Sequence, residues 1–362
     1  MKYVDEYRNS KSALILSEKI KRLTTKNWNI MEVCGGQTHT IMKYGIEELL
    51  PDNIKLIHGP GCPVCVTSPE IIEKAIQISL NDNVIFTSYG DMLRVPGTNQ
   101  SLMDARANGA DIRIIYSPLE AIKIAKENKE KTVVFLAIGF ETTAPANGMA
   151  IQQAKMNGLN NFYVLSSQVL IPPAIELIMS MKNISINGLI APGHVCTITG
   201  SKDYKRISNQ FKIPIVITGF EPLDLLQSIF LIVQELECER YSVINQYSRV
   251  VDEEGNKEAQ KIINNVFQIC DYNWRGIGII PQSGLKINSE YEDYDAERFF
   301  HFNSNKTDND NECIAGDILC GIKVPTDCSS FGFKCTPSNP LGAPMVSSEG
   351  ACSAYFKYRS SN

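Results

Sequence analysis

No stretch of this sequence is apolar for long enough to cross a lipid bilayer. The most apolar window, residues 223–236, is interrupted by Asp224, Gln227 and Gln234, whereas a spanning helix needs about 20 predominantly apolar residues. The first residues are charged throughout and contain no apolar signal segment. A basic excess is also missing, because the net charge is −5, so nucleic acid meets no positive field. We therefore expect a cytoplasmic protein with no membrane and no nucleic-acid partner.

The chain is long enough for more than one domain, since 362 residues exceed what one core usually supports. Short apolar, β-branched runs alternate with segments of helical periodicity, a pattern typical of parallel sheets covered on both faces. The predicted strands are 54–57, 84–87, 112–116, 133–138, 162–165, 188–191 and 215–218. The predicted helices are 69–80, 118–126, 144–157, 172–181 and 223–238.

These patterns predict an α/β fold with two Rossmann-like lobes, each containing a parallel sheet. The cysteines of the tail add the expectation of a C-terminal loop-rich [4Fe-4S] module. The lobes should divide near residues 157–161, where three asparagines and a glycine interrupt the pattern. The expected units are an N-terminal helical segment that packs on the cluster module (1–30), a first lobe (31–158), a second lobe (159–270) and the module itself (271–362). Residues 303–312 are interpreted as an acidic, solvated linker, since they lack the glycine and glutamate of a calcium loop.

The eleven cysteines favour metal binding or redox work, because disulfide frameworks are rare in a reducing compartment. Three of them lie early, and five crowd the last fifty residues. The isolated Cys196, Cys238 and Cys270 are interpreted as small buried apolar residues.

Two glycine-bearing motifs carry the early cysteines. MEVCGGQTHT places Cys34 before two glycines, which permit close approach of a ligand, with His39 five positions later. HGPGCPVCVTSPE places Cys62 and Cys65 between a predicted strand and a helix start, where thiol pKa values are lowered. Both loops should lie at the carboxyl edge of a parallel sheet. We predict that the three cysteines bind one metal ion, with a redox dithiol as the alternative.

Two histidines are further candidates for the same cleft. His39 follows Cys34, and His194, within APGHVCTITG, follows the predicted strand 188–191. A lone histidine is more often structural than a ligand, so both readings stay open for each.

The tail is the second cysteine-rich region. Its five cysteines are Cys313, Cys320, Cys328, Cys335 and Cys352. The segment has too little apolar pattern for a core of its own, and such small units commonly need a metal or cross-links. Four thiolates are the usual ligands of a [4Fe-4S] cluster, whereas zinc sites usually show paired Cys-x2–4-Cys knuckles. Spacing leaves open whether Cys313 or Cys320 is the fourth ligand.

Taken together, these motifs resemble the HypD family of NiFe-hydrogenase maturation proteins. The resemblance runs in consistent order through MEVCGGQTHT, GPGCPVCVTSPE, IGFETTAP, APGHV, GFEPLDLL and the tail from PTDC to SSEGAC. It implies two α/β lobes, an iron–sulfur module formed by the C-terminal segment with help from the N-terminal one, and a role as scaffold for the Fe(CN)2CO moiety of the hydrogenase active site.

The resemblance also implies roles for individual residues. Iron would be held by Cys34, Cys62 and Cys65, and the [4Fe-4S] cluster by Cys313, Cys328, Cys335 and Cys352. Glu349 matches a family glutamate and, with His39, is a candidate catalytic residue. Many relatives carry a histidine where this chain has Gln37. Relatives often begin the tail with Cys-x-Cys, where this chain has Cys313 and Ala315, so Cys320 is expected to be incidental.

The implied partners are a small chaperone resembling HypC, whose cysteine would share the iron, and a cyanide donor resembling HypE. The iron would be ferrous and would carry CN and CO ligands transiently, while the cluster would supply electrons that the Cys62–Cys65 pair could relay. One alternative is an iron–sulfur thiol–disulfide reductase, which does not need Cys34. Another is a structural iron–sulfur protein, which would tolerate substitution of all three early cysteines.

Overall fold

Two helix-covered sheets make up the computed structural model, which describes residues 5–182, 184–302 and 312–359. The strands are β1 (Trp28–Glu32), β2 (Ile54–His58), β3 (Val84–Ser88), β4 (Ile112–Ile114), β5 (Thr132–Gly139), β6 (Phe162–Val169), β7 (Gly188–Pro192), β8 (Ile215–Thr218), β9 (Val243–Asn245), β10 (Phe267–Trp274) and β11 (Gly278–Ile287). The helices are α1 (Ser10–Leu23), α2 (Gly35–Lys43), α3 (Pro63–Val66), α4 (Pro69–Ser79), α5 (Leu102–Ala107), α6 (Pro118–Glu127), α7 (Ala144–Met156), α8 (Ile171–Met179), α9 (Gly193–Thr199), α10 (Lys202–Phe211), α11 (Pro222–Glu237), α12 (Lys257–Val266), α13 (Ala296–Phe299), α14 (Ala315–Leu319) and α15 (Ala351–Arg359).

The predicted α/β class is confirmed. The first sheet has the order β2-β1-β7-β8-β9 and is parallel throughout. The second has the order β10-β11-β6-β5-β3-β4, with parallel pairing from β6 to β4 and an antiparallel hairpin, β10–β11, added beside β6. All seven predicted strands and all five predicted helices are present, within four residues of the predicted bounds. The linker predicted at 303–312 lies, apart from Glu312, outside the described residues.

The two sheets do not follow the division predicted near residues 157–161. β5 and β6 lie on opposite sides of that point in the chain yet pair with each other, and β1 pairs with β7 from the other half. Each sheet therefore draws strands from both halves. The N-terminal segment also differs from expectation, because α1 packs mainly against α11 and β1 already begins at Trp28.

The core consists of three apolar layers, because both sheets are buried on both faces. Alternate residues of one strand enter different layers: Ile30 faces α1 and α11, whereas Met31 faces the layer between the sheets. In the second sheet Phe86 belongs to the same middle layer, and Ile85 belongs to the outer one. The shared middle layer holds the two sheets together. In the described ranges no helix has the length and apolar content that a membrane crossing requires.

The strand order locates a place where ligands commonly bind. From β1 the chain proceeds outward to β2, whereas from β7 it proceeds the other way to β8 and β9. The order thus reverses between β1 and β7, and open parallel sheets bind ligands outside the strand carboxyl ends at such a point. The loops that leave β1 and β7 carry Cys34 and His194.

Candidate functional site

Cys34 is held at the reversal point by direct contact between two loops. It immediately precedes α2, and the residue is only 3% exposed. The backbone N–H of Gly35 donates to the carbonyl of Gly61 over 2.9 Å. A Cβ on Gly61 would overlap the Cα and N of Cys34, so only glycine lets the loop carrying Cys62 approach this closely. The predicted convergence of the two cysteine motifs is therefore present.

A buried carboxylate fixes the Cys34 loop from beneath. Glu32 Oε2 accepts the backbone N–H of Cys34 at 2.8 Å, and Glu32 Oε1 accepts from His58 Nδ1 at 2.7 Å and from the Thr38 hydroxyl. Burial by itself lowers the pKa of His58, but the hydrogen bond to Glu32 and the nearby charge of Glu47 outweigh it and raise the pKa to about 9. The Glu32–His58 pair was not predicted, although the sequence shows an ionisable residue at the end of each of these two largely apolar strands.

His194 lies beside the Cys34 sulfur, as expected for a member of the cleft. Its Nδ1 is 3.8 Å from Cys34 Sγ, and its ring packs on Phe220, with centroids 5.1 Å apart. Burial lowers the pKa of His194 to about 4, so the imidazole is neutral near pH 7. A neutral ring can accept a hydrogen bond from the Cys34 thiol.

Cys34 itself is a protonated thiol in this environment. Burial raises its pKa, and the nearby carboxylates of Glu32 and Glu349 raise it further. Backbone N–H groups of Gln37 and Gly36 oppose the shift without cancelling it. Here burial outweighs the helix start, which favours thiolates. A metal ligand must be deprotonated, so the site needs a proton acceptor when it binds metal.

Cys62 and Cys65 form a disulfide in this structure. Both are buried, and Cys62 immediately precedes α3, with its sulfur accepting the backbone N–H of Cys65 at 3.3 Å. Ser68 caps the following helix α4. Within the described ranges, no three His, Cys, Asp or Glu side chains are placed to hold a metal ion. The early cysteines thus stand as a buried thiol beside a disulfide.

The other predicted residues of the first motif face different neighbours. The ring nitrogens of His39 lie 3.2 Å from the Ser348 carbonyl and 3.3 Å from the Tyr358 hydroxyl, so this side chain joins α2 to the tail. Gln37 is buried and donates to the carbonyls of Ala191 and Gly219. It connects α2 to the loops that leave β7 and β8.

Glu349 approaches the site from the tail. A Cβ on Gly35 would collide with its Cβ and carbonyl oxygen, and its carboxylate acts on the Cys34 thiol. Much of the surface of Glu349 is exposed to solvent, but the side that faces Cys34 is crowded. Burial on that side raises the pKa of Glu349, and the nearby carboxylate of Asp91 raises it further. The tail therefore contributes a carboxyl group to the surroundings of Cys34.

Four tail cysteines lie together and the fifth does not. Burial is the main cause that raises the pKa of Cys352, and the nearby thiols of Cys313, Cys335 and Cys328 raise it further. The thiols of Cys335 and Cys328 also raise the pKa of Cys313. Cys320 is instead buried in the middle apolar layer, where burial and Asp317 raise its pKa to about 11. These four are the cysteines that the family resemblance assigned to the cluster, and that ligand role stays a prediction.

The surroundings of these four thiols fit a group with sulfur ligands. The backbone N–H of Leu341 donates to Cys335 Sγ over 3.4 Å, and that of Ala315 bonds to Cys313. A Cβ on Gly342 would overlap Cys313 Sγ. Ligands of a multi-iron cluster lie further apart than ligands of a single ion, so the four thiols can suit a cluster even though the described residues form no single-ion site. Hydrogen bonds to the sulfurs are a usual feature of such clusters.

The three isolated cysteines only partly match the expectation that they are buried. Cys196 is buried, but Cys270 is half-buried and Cys238 is exposed. Cys238 ends α11, where the amphipathic helix leaves the apolar layer, so its place in the apolar pattern was misleading.

The tail and the early motif are also in contact with each other. The segment Ala343–Met345 packs against α3, which carries Cys65, and α15 packs against α2. Arg359 pairs with Glu47, whose other oxygen lies 3.6 Å from His58 Nε2. The tail is thus connected to the residues that support Cys34.

Comparison with known proteins identifies the family. A family described as "HypD: Hydrogenase formation hypA family" matches residues 11–359. The chain is similar to the hydrogenase maturation factor HypD2 of Bradyrhizobium diazoefficiens (45% identity over 99% of this chain and 97% of the relative). It is similar to HypD of Azotobacter vinelandii (44%, 99% and 97%) and of Escherichia coli (41%, 99% and 98%). With its two helix-covered sheets and its paired cysteine motifs, the chain belongs to the HypD family of hydrogenase maturation factors.

Proposed function

We propose that this maturation factor is a scaffold on which the Fe(CN)2CO moiety of the NiFe-hydrogenase active site is assembled. The observation that carries the proposal is the contact between the Cys34 loop and the Cys62–Cys65 loop at the reversal of the strand order. Sulfur donors from two loops then meet beside a neutral imidazole. Thiolates are soft ligands that suit such iron, and Cys34 with Cys62 or Cys65 would hold it.

Reduction of the disulfide has to precede iron binding. A dithiol reductant supplies two electrons and two protons, which convert the Cys62–Cys65 disulfide to two thiols while the reductant becomes a disulfide; the two thiols then become ligands as thiolates. Cys34 releases its proton to solvent when it binds the metal, while the His194 ring, whose Nδ1 lies 3.8 Å away, stays neutral. Glu32 keeps the Cys34 backbone in place while the charge changes.

Cys313, Cys328, Cys335 and Cys352 would hold a [4Fe-4S] cluster. The four thiols act on one another, and two of them accept backbone N–H groups. The chemistry that such a cluster supplies when bound is one-electron transfer. The role of this chain is to hold the four sulfurs beside α3.

Two protein partners complete the proposed assembly in the cytoplasm. A small chaperone resembling HypC would contribute a cysteine to the iron, and a protein resembling HypE would deliver cyanide. Both have to reach Cys34, which is buried. The loops that carry Cys34 and His194 are therefore where such partners would dock.

Infrared spectroscopy of the anaerobically purified complex with the small partner tests the scaffold. The wild-type complex should show cyanide and carbonyl stretching bands, and C34A, C62A and C65A should each lose them. C238A is the matched control, since Cys238 is exposed and ends α11. Bands of full intensity in all three variants would contradict the proposal.

Iron and sulfide contents test the ligand set of the cluster. C313A, C328A, C335A and C352A should each lose most of the iron and the cluster absorption, whereas C320A should keep both. Cluster loss in C320A, with retention in C328A, would assign the ligands differently.

A thiol–disulfide reductase is the second candidate, and the disulfide itself favours it. Cys34 separates the two functions. A reductase activity on a model disulfide that survives in C34A, together with absent infrared bands in the wild-type complex, would establish the reductase.

A further inference from the structure

Arg275 is a cation inserted between the two cysteine regions. It lies in the turn between β10 and β11, and its Nη2 donates to the carbonyl of Pro96 at 2.7 Å. Its Nη1 is buried and has no hydrogen-bond partner, although part of the side chain reaches solvent. Within the described part of the chain, no carboxylate forms an ion pair with it. A buried N–H group without an acceptor costs stability, unless another group accepts its hydrogen bond or interacts with its charge.

The contacts of Arg275 connect both sites. Its backbone N–H donates to the carbonyl of Val66 over 3.0 Å, and Val66 follows Cys65 directly. Its guanidinium interacts electrostatically with Cys313 and Glu73. A cavity of about 740 Å³ is lined by Arg275, Cys313 and Gly342 among others. Arg275 therefore lines the cavity beside one of the four clustered thiols.

We propose that Arg275 sets the reduction potential of the cluster held by the four tail cysteines, an inference that rests on the proposed cluster site. Reduction adds a negative charge, and a nearby fixed cation stabilises the reduced form more than the oxidised one. Charge and hydrogen bonds near the sulfurs are established determinants of cluster potential. Burial also lowers the pKa of Arg275, which reflects the cost of holding this charge unpaired. Arg275 is a positioning residue that acts through the ligands.

The expected change is large enough to measure. A unit charge at roughly 10 Å, with an effective dielectric constant of about 20, changes an equilibrium constant by roughly tenfold. For a one-electron couple that factor corresponds to about 59 mV. Replacing Arg275 by a neutral residue should therefore lower the midpoint potential by roughly this amount.

The experiment is a potentiometric titration of the anaerobic full-length protein, followed by electron paramagnetic resonance, with iron content measured on the same samples. R275Q should titrate at a lower potential, whereas R275K keeps the charge and should stay within a third of that shift. E73Q removes the carboxylate that acts on Arg275 and should move the potential upward by less. Glu73 Oε1 also accepts the backbone N–H of Thr98, and glutamine retains that acceptor.

Each outcome decides a different point. Wild-type protein without a cluster would refute the proposed cluster site rather than the role of Arg275. An R275Q protein with full iron and an unchanged potential would overturn the inference. If R275Q does not retain iron, R275K and E73Q decide, and an unchanged potential in E73Q overturns it. A purely structural role through Pro96 predicts no difference between the lysine and glutamine variants.

Discussion

Replacement of His58 by glutamine should remove a pH-dependent part of the folding free energy. His58 is buried at the end of β2, where Nδ1 bonds to Glu32 and Nε2 faces Glu47. Glutamine can still donate to one carboxylate, but it cannot carry a charge. H58Q therefore leaves two carboxylates near each other without their shared cation, and breaking a buried charged pair is strongly destabilising.

The magnitude follows from the raised pKa of His58. Its pKa is about 9, compared with 6.5 for an ordinary histidine, and one pKa unit corresponds to about 1.4 kcal/mol, so the network contributes about 3 kcal/mol. A folded-state pKa above the unfolded value means that the folded state binds the proton more tightly. The contribution is fully present below pH 6.5 and is lost as the pH rises through about 9.

Denaturant unfolding of wild type and H58Q at several pH values between 6 and 10 measures this effect. The difference in unfolding free energy between the two proteins should be largest at the acidic end and shrink by about 3 kcal/mol at the alkaline end. H301Q is the control, because His301 is exposed and its substitution should not change the slope. A difference between wild type and H58Q that stays constant with pH would refute the reasoning.

Three further predictions concern other positions. G61A should displace the Cys34 loop and abolish iron binding, measured by metal analysis, whereas G90A, whose Cβ meets only Ile114 at 3.8 Å, should not. Burial raises the pKa of Glu141 to about 7, so the unfolding free energy of the wild type should fall as the pH rises from about 4.5 to about 7. E141Q should remove that slope and should be more stable than the wild type at pH 8 by at most about 3 kcal/mol. Unfolding curves of both proteins at about pH 4.5 and pH 8 measure the difference. E349Q should lower the pKa of Cys34, because it removes a nearby carboxylate; alkylation of Cys34 should shift to lower pH, and an unchanged profile would contradict the electrostatic coupling.

Much of the fold could be predicted because its central strands are apolar on both faces. β3, β5 and β6 contain long apolar, β-branched runs, and α4 begins with a capping serine followed by proline. The hairpin β10–β11 was missed, since its strands mix polar and apolar residues without a clear alternation and Pro281 interrupts it. The proline falls where the register shifts, a position at which a strand tolerates it.

The residues of the candidate site were foreseeable in kind but not in arrangement. Sequence spacing indicated that Cys34 and the Cys62–Cys65 pair share a sheet edge, because parallel strands end on one side. Sequence spacing did not reveal which residues hold these cysteines in place from beneath. Glu32 and His58 are 26 residues apart, and only the neighbouring positions of β1 and β2 in the sheet bring them together.

By itself the sequence determined much of the secondary structure, the fold class and the family of this protein, since all three depend on local patterns and motifs. Tertiary structure alone decided which strands share a sheet, because β1 and β7 pair across more than a hundred and fifty residues. It also decided that Arg275 lies beside the group of four tail cysteines. Those placements follow from burial and close packing between distant segments, which no local pattern encodes.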